Sequence, residues 1–457
     1  MKIVITSLPC YEKFTKNLIA PSASIYILKN IIKTSGHVVN TIDPTDFIFA
    51  ARECSRTSVQ SIIQCYSKLI TGYIKHADVL AFSCNSFNWS VTKKVIQAVR
   101  GYGYRGKIIL GGIHPTYFYK HILDTNDIDF VVLGDGDISI LELLEALDRG
   151  HKKISSPGIA ARHNFRTTNN LSPRYLSEQD MKYISAPDYD SLKFKYNYNF
   201  LNIESSRGCY NHCSFCSIMS KNKWRPIELN KVLENTSKTI ELSGKKFLNK
   251  YILFTDDCFT SDIQRASILI KELTKIHPGY KFFIEARVSD LRGDFLSRMD
   301  PSNFVGIQIG VECGYDEGLK MIKKGITVSD VLEICEQISK YNFNKICMFS
   351  FIIGYPWESQ AEISETLNTI EFITKKYKIY CNINYLLLLP SRIWETRSNF
   401  GIHLDEKFYD EIDCFTSIEK FYASHPLLTD KTLNFVRSKI DKLQRDGLNV
   451  NLQNSYL

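Results

Sequence analysis

Glu204-Ser-Ser-Arg-Gly-Cys209-Tyr-Asn-His-Cys213-Ser-Phe-Cys216 sets three cysteines at C-x₃-C-x₂-C spacing. Three thiolates can hold three corners of a cubane iron–sulfur cluster and leave the fourth iron open. An open iron is a place for chemistry, whereas a cluster held by four cysteines mostly passes electrons. The competing readings are a zinc knuckle and three buried thiols. His212 could be a fourth zinc ligand, but it adjoins Cys213, where tetrahedral ligation is awkward. The spacing therefore favours Cys209, Cys213 and Cys216 as cluster ligands.

Downstream of the run, strands alternate with helices to about residue 390. Strands are read at 200–203, 251–254, 282–286, 305–310, 346–353 and 380–388. A helix is expected over 226–242, with Pro226 in its first turn. Thr327…Asp330 and Ser359…Glu362 have the spacing of helix N-terminal caps. Six such units make a partial (β/α)6 barrel, whose reactive groups stand at the carboxyl ends of strands. Those ends carry Asp257, Glu285, Arg287, Glu312, and Gly354-Tyr-Pro356.

Upstream, residues 1–150 read as a doubly wound α/β sheet. Strands are expected at 3–7, 38–42, 79–83, 107–110 and 130–133, and helices at 22–35, 58–76, 89–102 and 138–147. Glycines fall where strands end, at Gly111-Gly112 and Gly134-Asp-Gly136. In such sheets ligands bind at that carboxyl edge. No G-x-G-x-x-G follows the first strand, which disfavours a dinucleotide. Residues 151–199 read as a linker, 200–398 as the barrel, and 399–457 as a short helical C-terminal segment. Within that segment 429–445 is amphipathic, and the tail from Asn449 is expected to fray.

Composition narrows the class. Hydrophobic content of 44% and charged content of 23% are those of a soluble globular protein. The net charge of +8 is scattered, with no Lys/Arg block interleaved with aromatics, so nucleic acid is not favoured. The odd count of 13 cysteines argues against a disulfide framework and fits a reducing cytoplasm. The longest apolar run is too short to span a bilayer, and no signal peptide is read.

The cysteine run, with aromatic Phe215 before its last cysteine, resembles the signature of the radical S-adenosylmethionine (SAM) superfamily. In that family the open iron chelates SAM, and an electron from the cluster cleaves it to methionine and a 5′-deoxyadenosyl radical. Resemblance implies SAM contacts for Phe215, Asp257, Glu285, Arg287, Glu312, Gly354 and Pro356. Carboxylates suit the ribose hydroxyls and the ammonium, a cation suits the carboxylate, and apolar walls suit adenine. The sixth strand departs from the family, with Pro390-Ser-Arg-Ile393 where Pro-Gly-Thr is usual.

The first third resembles the cobalamin-binding domain fused to many radical SAM enzymes. The matching stretches are Ser35-Gly-His-Val-Val-Asn-Thr-Ile-Asp43, Gly111-Gly-Ile-His-Pro-Thr116 and Val132-Leu-Gly-Asp-Gly-Asp137. The implied cobalamin contacts are Leu8, Ser83, Asn85, Ser86, Gly111, Gly112, His114, Pro115, Gly134, Gly136 and Asp137. The D-x-H-x-x-G motif is absent, which implies no protein histidine on cobalt. Together the resemblances imply a [4Fe-4S] cluster, SAM and cobalamin in a class B-like methyltransferase. One SAM would methylate cob(I)alamin, and a second would generate the radical that activates an unactivated carbon. The substrate would be a small molecule, natural-product precursor, peptide or lipid, and the reductant a flavodoxin or ferredoxin. A non-methylating cyclisation or rearrangement is the main alternative. An iron–sulfur electron carrier is disfavoured by the missing fourth cysteine.

Overall fold

Val79–Phe82, Ile108–Leu110 and Phe130–Val132 are buried without interruption. Such runs belong to parallel strands covered on both faces. The computed structural model describes residues 1–9, 21–53, 59–125, 127–151, 154, 156–166, 171–192, 198–218, 220, 223–243, 247–411 and 416–453. It divides the chain into two units. The first comprises Met1–Ile203, Asn230–Asn249 and Asp405–Cys414; the second comprises Glu204–Leu229, Lys250–Leu404 and Phe415–Leu457.

The first unit runs β1 (Lys2–Thr6), α1 (Ala23–Thr34), β2 (Val38–Ile42), α2 (Pro44–Glu53), α3 (Val59–Ile74), β3 (Val79–Ser83), α4 (Trp89–Gly101), β4 (Lys107–Gly111), α5 (Ile113–Thr125), β5 (Phe130–Val132), α6 (Gly136–Asp148) and β6 (Ile159–Ala161). It continues with β7 (Tyr198–Ile203) and most of α7 (Leu229–Ser243). The sheet order is β2-β1-β3-β4-β5-β6. All neighbours are parallel except the antiparallel edge β6. Strand order reverses between β1 and β3, the switch point at which doubly wound sheets open a crevice.

Four elements here differ from the sequence expectation. α2 and α5 occupy stretches not read as helices, and a kink at Phe118 (φ −112°, ψ 24°) breaks the periodicity of α5. β6 lies in the expected linker, three residues being too short to alternate. α6 begins at Gly136, two residues early, so Gly136 and Asp137 open a helix.

The linker is also pinned. Asn30 Nδ2 donates to Ala186 O at 2.8 Å, and buried Lys29 pairs with Asp188 and Asp190. Residues from much later in the chain complete this unit. Asp410 accepts from Trp89 Nε1 at 2.8 Å and from His121 Nε2 at 3.0 Å, and Lys93 Nζ stands 2.9 Å away. These contacts hold the carboxyl of Asp410 well below its usual range despite partial burial.

In the second unit a two-residue antiparallel pair, β8 (Ser206–Arg207) with β9 (Arg225–Pro226), flanks the cysteine run. Pro226 therefore lies in a strand, and the helix expected from it begins at Leu229. β10 (Phe247–Phe254), β11 (Lys281–Arg287), β12 (Phe304–Glu312), β13 (Cys347–Ile353), β14 (Tyr380–Tyr385) and β15 (Val450–Gln453) follow one another in the sheet, all parallel. The helices include α8 (Ile263–Ile276), α9 (Val328–Lys340), α10 (Gln360–Tyr377) and α11 (Asp430–Arg445). Both expected capping boxes form, at Thr327/Asp330 and Ser359/Glu362. β15 corrects the expectation of a frayed tail, since Val450–Gln453 pair with Cys381–Asn384.

Burial alternates strictly along β13 and β14. Cys347, Phe349, Phe351 and Ile353 are buried, whereas Met348, Ser350 and Ile352 are half-buried. Cys347 and Cys381 lie near Cys335 of α9, so the buried set faces the helices. Each large apolar side chain buried there contributes roughly 1.5–3 kcal/mol. The opposite face is left for chemistry.

Candidate active site

Two adjacent carboxylates at the end of β10 brace the cysteine run. Asp256 accepts from Ser205 N (2.7 Å), Ser205 Oγ (2.6 Å) and Ser206 Oγ (2.5 Å). Asp257 Oδ2 accepts from Gly208 N at 2.7 Å. Further along, Ser214 N donates to Ile322 O and Ile393 N donates to Ser214 O, both at 2.9 Å. The atypical Pro390-Ser-Arg-Ile393 segment thus supports the cysteine loop directly.

Every sulfur of the run has a donor. Asn211 Nδ2 lies 3.4 Å from Cys209 Sγ, Arg287 Nη1 3.8 Å from Cys213 Sγ, and Ile218 N 3.4 Å from Cys216 Sγ. A hydrogen bond from Cys258, helped by Asn211, draws the Cys209 pKa down to about 5. Donors aimed at sulfur favour thiolates, and soft thiolates suit iron–sulfur clusters. Among the described residues no group of three or more His, Cys, Asp or Glu converges on a single-ion site. A cubane presents separate irons to its ligands and does not require that convergence.

Beside the run, Arg287, Lys324 and Glu312 form a chain of contacts. Arg287 Nη2 donates to Lys324 O at 2.8 Å, and Lys324 Nζ pairs with Glu312 Oε1 at 3.0 Å. Glu312 has φ +74°, uncommon for a non-glycine residue, just after a register shift in β12. Its carboxylate folds back over Gly310, where a Cβ would stand 2.3 Å from Glu312 Oε1 and 2.9 Å from Lys324 Nζ. A side chain at position 310 would compete with the ion pair for that space. Lys324 Nζ also lies 5.9 Å from the centre of the Phe215 ring.

Solvent reaches Asp257 and Glu285, but the surrounding walls desolvate both carboxylates. The pKa of Asp257 rises to about 6, first by desolvation and then by the nearby Glu204 charge. Glu285 is raised by desolvation, then by Glu312 and Asp257. The apolar side is built on Phe215, 6.2 Å from Tyr355, which stacks on Trp357 at 5.1 Å. Buried Glu358 holds that turn, accepting from Gly354 N (2.6 Å), Tyr355 N (3.0 Å) and Tyr315 OH (3.2 Å). Burial pushes its pKa up to about 7. Gly354 and Pro356 are buried in the same turn.

Most strand-end residues singled out in the sequence therefore share one neighbourhood with the cysteines. Sequence reading missed Lys324, Asp256, Cys258 and Glu358. Asp256 and Asp257 are adjacent in an all-polar stretch beyond β10, and no sequence pattern separates their roles. Lys324 lies in an aperiodic turn and gave no signal.

The carboxyl-edge loops of the first unit are tied together by side chains. Asn88 Nδ2 donates to Leu8 O at 2.9 Å, and Asn85 N donates to Asn88 Oδ1 at 2.9 Å. Ser83 Oγ lies 3.4 Å from Ser24 Oγ. Gly134 N donates to Thr116 Oγ1 at 3.1 Å. The glycines fall into two kinds. At Gly112 and Gly134, both at positive φ, a Cβ would collide with the carbonyls of Cys84 (2.4 Å) and Arg174 (2.3 Å). At Gly111 and Gly136 the nearest atoms are 3.9 and 3.8 Å away. The protein's own packing does not require those two, and their bare backbone suits the close approach of a large flat ligand.

His114, expected at this edge, is buried between Trp89 (5.3 Å, stacked) and Phe118 (4.9 Å). Ser86 Oγ lies 3.1 Å from its Nδ1, and burial lowers its pKa to about 3. It packs the unit as a neutral ring. Pro115 and Asp137 are buried as well.

Residues 203–370 match the radical SAM superfamily, and residues 64–144 match the B12-binding domain. The chain carries a radical SAM domain and a B12-binding domain. An uncharacterized methyltransferase of Pyrococcus horikoshii is 26% identical over 324 residues, 69% of this chain and 68% of that protein. The anaerobic magnesium-protoporphyrin IX monomethyl ester cyclase of Rubrivivax gelatinosus is 26% identical over 274 residues, 56% of this chain and 47% of that enzyme. This chain thus spans less than half the length of that cyclase.

Among solved structures, the radical SAM methyltransferase TsrM of Kitasatospora setae, with cobalamin and a [4Fe-4S] cluster bound, aligns over 89% of this chain and 76% of its own (TM-score 0.68, 15% identity). The cobalamin-dependent radical enzyme OxsB aligns over 100% of this chain and 62% of its own (TM-score 0.65, 17% identity). At these identities the likeness is one of fold. The architecture joins a B12-binding domain to a radical SAM domain, as in those structures, and proteins named methyltransferases are among the chain's relatives. Among the described residues no helix is long and apolar enough to cross a membrane.

Proposed function

We propose that this protein transfers a methyl group from SAM, by way of cobalamin, to an unactivated carbon of a natural-product, peptide or lipid substrate, with a small reducing protein as electron donor. The observation that carries this reading is the thiol trio, with a donor on each sulfur, beside the Arg287–Lys324–Glu312 chain. Cys209, Cys213 and Cys216 would hold the cluster. Arg287 lies against one ligand sulfur and brings positive charge beside it. Glu312, Glu285 and Asp257 offer acceptors to the ammonium and ribose hydroxyls of SAM, while Phe215, Gly354 and Pro356 wall its adenine. The loops at Leu8, Ser83–Ser86, Gly111–Pro115 and Gly134–Asp137 would hold cobalamin, chiefly through backbone at Gly111 and Gly136. When bound, these groups supply reductive SAM cleavage and a transferable methyl group; the protein positions them and excludes water.

A ring-forming reaction without methyl transfer is the second reading, favoured by the similarity to the Rubrivivax cyclase. Anaerobic reconstitution with iron, sulfide and cobalamin, then incubation with SAM, reductant and candidate substrates, separates the two. S-Adenosylhomocysteine and 5′-deoxyadenosine formed together are expected. 5′-Deoxyadenosine alone would favour ring formation, and the absence of a cobalamin spectrum would sink both. Cys213→Ala should abolish SAM cleavage and lower bound iron; retained cleavage would refute the cluster assignment.

A further inference from the structure

Five strands of the radical SAM sheet align side chains at one level. Arg287 pairs with Gly310, Gly310 with Ser350, Ser350 with Asn382, and Asn382 with Asn451. At about 4.8 Å between strands this level spans roughly 19 Å. It begins at Arg287, which touches Cys213 Sγ, and ends on the edge strand β15. One level nearer the strand ends, Ile352, Asn384 and Gln453 are in register. One level back, Tyr380 hydrogen-bonds the side chain of Asn451, which fixes both on this face.

Charge changes along the level. The Arg287 end has Glu285, Glu312 and Lys324 around it. On this half-buried face β13, β14 and β15 carry no Lys, Arg, Asp or Glu among the described residues. Parallel strands covered on both faces would be apolar here. Instead Ser350, Asn382, Asn384 and Asn451 are half-buried polar groups. Asn382 Oδ1 is shielded from solvent and has no hydrogen-bond partner among the described residues. A shielded amide oxygen without a donor is destabilising, and such an atom calls for an explanation.

We infer that this end of the face binds a neutral, amide-bearing part of the substrate, such as a peptide backbone or a carboxamide. Side-chain amides both donate and accept, so they pair reciprocally with another amide. A carboxylate or phosphate would lose its water with no cation to compensate it. An alkyl chain would strand the same amides unpaired. The inference rests on the proposed radical SAM function only in taking this face as the substrate side.

The test uses the full-length, cluster-reconstituted protein with SAM present. N-acetylated dipeptide amides and the matching N-acetylated dipeptide acids are titrated by saturation-transfer NMR. Amides should bind at least about tenfold more tightly than their acids. Asn382→Leu together with Asn384→Leu should remove amide binding. The isosteric Asn384→Asp, whose fold is checked by circular dichroism, should weaken it about tenfold by removing a donor. Acids that bind as well as amides, no amide binding to the wild-type protein, or amide binding unchanged in both variants would each overturn the inference. SAM is titrated against the wild-type protein in parallel. Failure there counts against the proposed function, whereas failed amide discrimination with SAM bound counts against this inference alone.

Discussion

The two sheets share a building unit, a parallel strand with a crossover helix, and use it in opposite ways. In the B12-binding sheet the central strands are buried on both faces, so their side chains are committed to packing. Recognition there falls to loops and bare backbone at the carboxyl edge. In the radical SAM sheet one face is only half-buried, and every second residue of β13 and β14 lies outside the fully buried core. Charged and amide side chains in mid-strand become available for chemistry. The lesson is that one architecture can present either backbone or side chains to a ligand, according to how many faces its helices cover.

Four substitutions test that contrast. The largest effect is expected in the side-chain site. Lys324→Met leaves buried Glu312 without its cation, and a broken buried pair typically costs about 3–5 kcal/mol. Chemical denaturation should register that loss and SAM titration a weakened site. A neutral result would show that water serves Glu312 as well as Lys324 does.

Next is a pH effect in the same domain. The folded pKa of Glu358 lies near 7, above its ordinary 4.5. The folded state therefore holds this proton more tightly than the unfolded chain does. Its contribution is fully present below the unfolded value and is lost as pH rises through about 7. The loss can reach about 3 kcal/mol. Glu358→Gln keeps an oxygen for the Gly354 and Tyr355 amides, and its NH₂ can donate to the Tyr315 hydroxyl. Melting temperature should fall from pH 5 to pH 8 in the wild type and fall less in the variant. Parallel pH curves would remove Glu358 as the cause.

The smallest change in stability, and the sharpest for the contrast, is Gly136→Ala in the B12-binding domain. Its Cβ would meet only ordinary contacts, so stability should move by less than about 0.5 kcal/mol. Cobalamin affinity should nevertheless drop about tenfold if bare backbone makes the site. Gly134→Ala, aimed at the Arg174 carbonyl, should cost both stability and affinity. Equal behaviour of the two variants would erase the distinction between packing glycines and ligand glycines.

The legibility of the sequence follows the same divide. The cysteine run and both capping boxes are local patterns, readable because their members lie within a few residues of one another; the strand-end carboxylates are readable only by their place after each strand, since Asp257 meets Gly208 across 49 residues. The capping boxes formed where expected. Lys324 and Glu312 are 12 residues apart across a turn without periodicity, and their pairing depends on a register shift that no local pattern encodes. β15 alternates for only four residues, and its partner strand begins about 70 residues earlier, so its pairing is entirely non-local. For His114 the motif position marks a loop but not the direction of the ring, which Trp89 and Phe118 decide.

Asp410 has a consequence for the order in which this protein can form. Trp89, Lys93 and His121 are synthesised early, but the carboxylate they share emerges about 300 residues later. At roughly 5–20 residues per second, the ribosome needs on the order of 15–60 s to deliver it. During that interval the nascent B12-binding unit lacks its last element. A gene fragment ending after the linker would remain permanently at that stage, so the unit is a product of the whole chain and cannot be cut out at a single boundary.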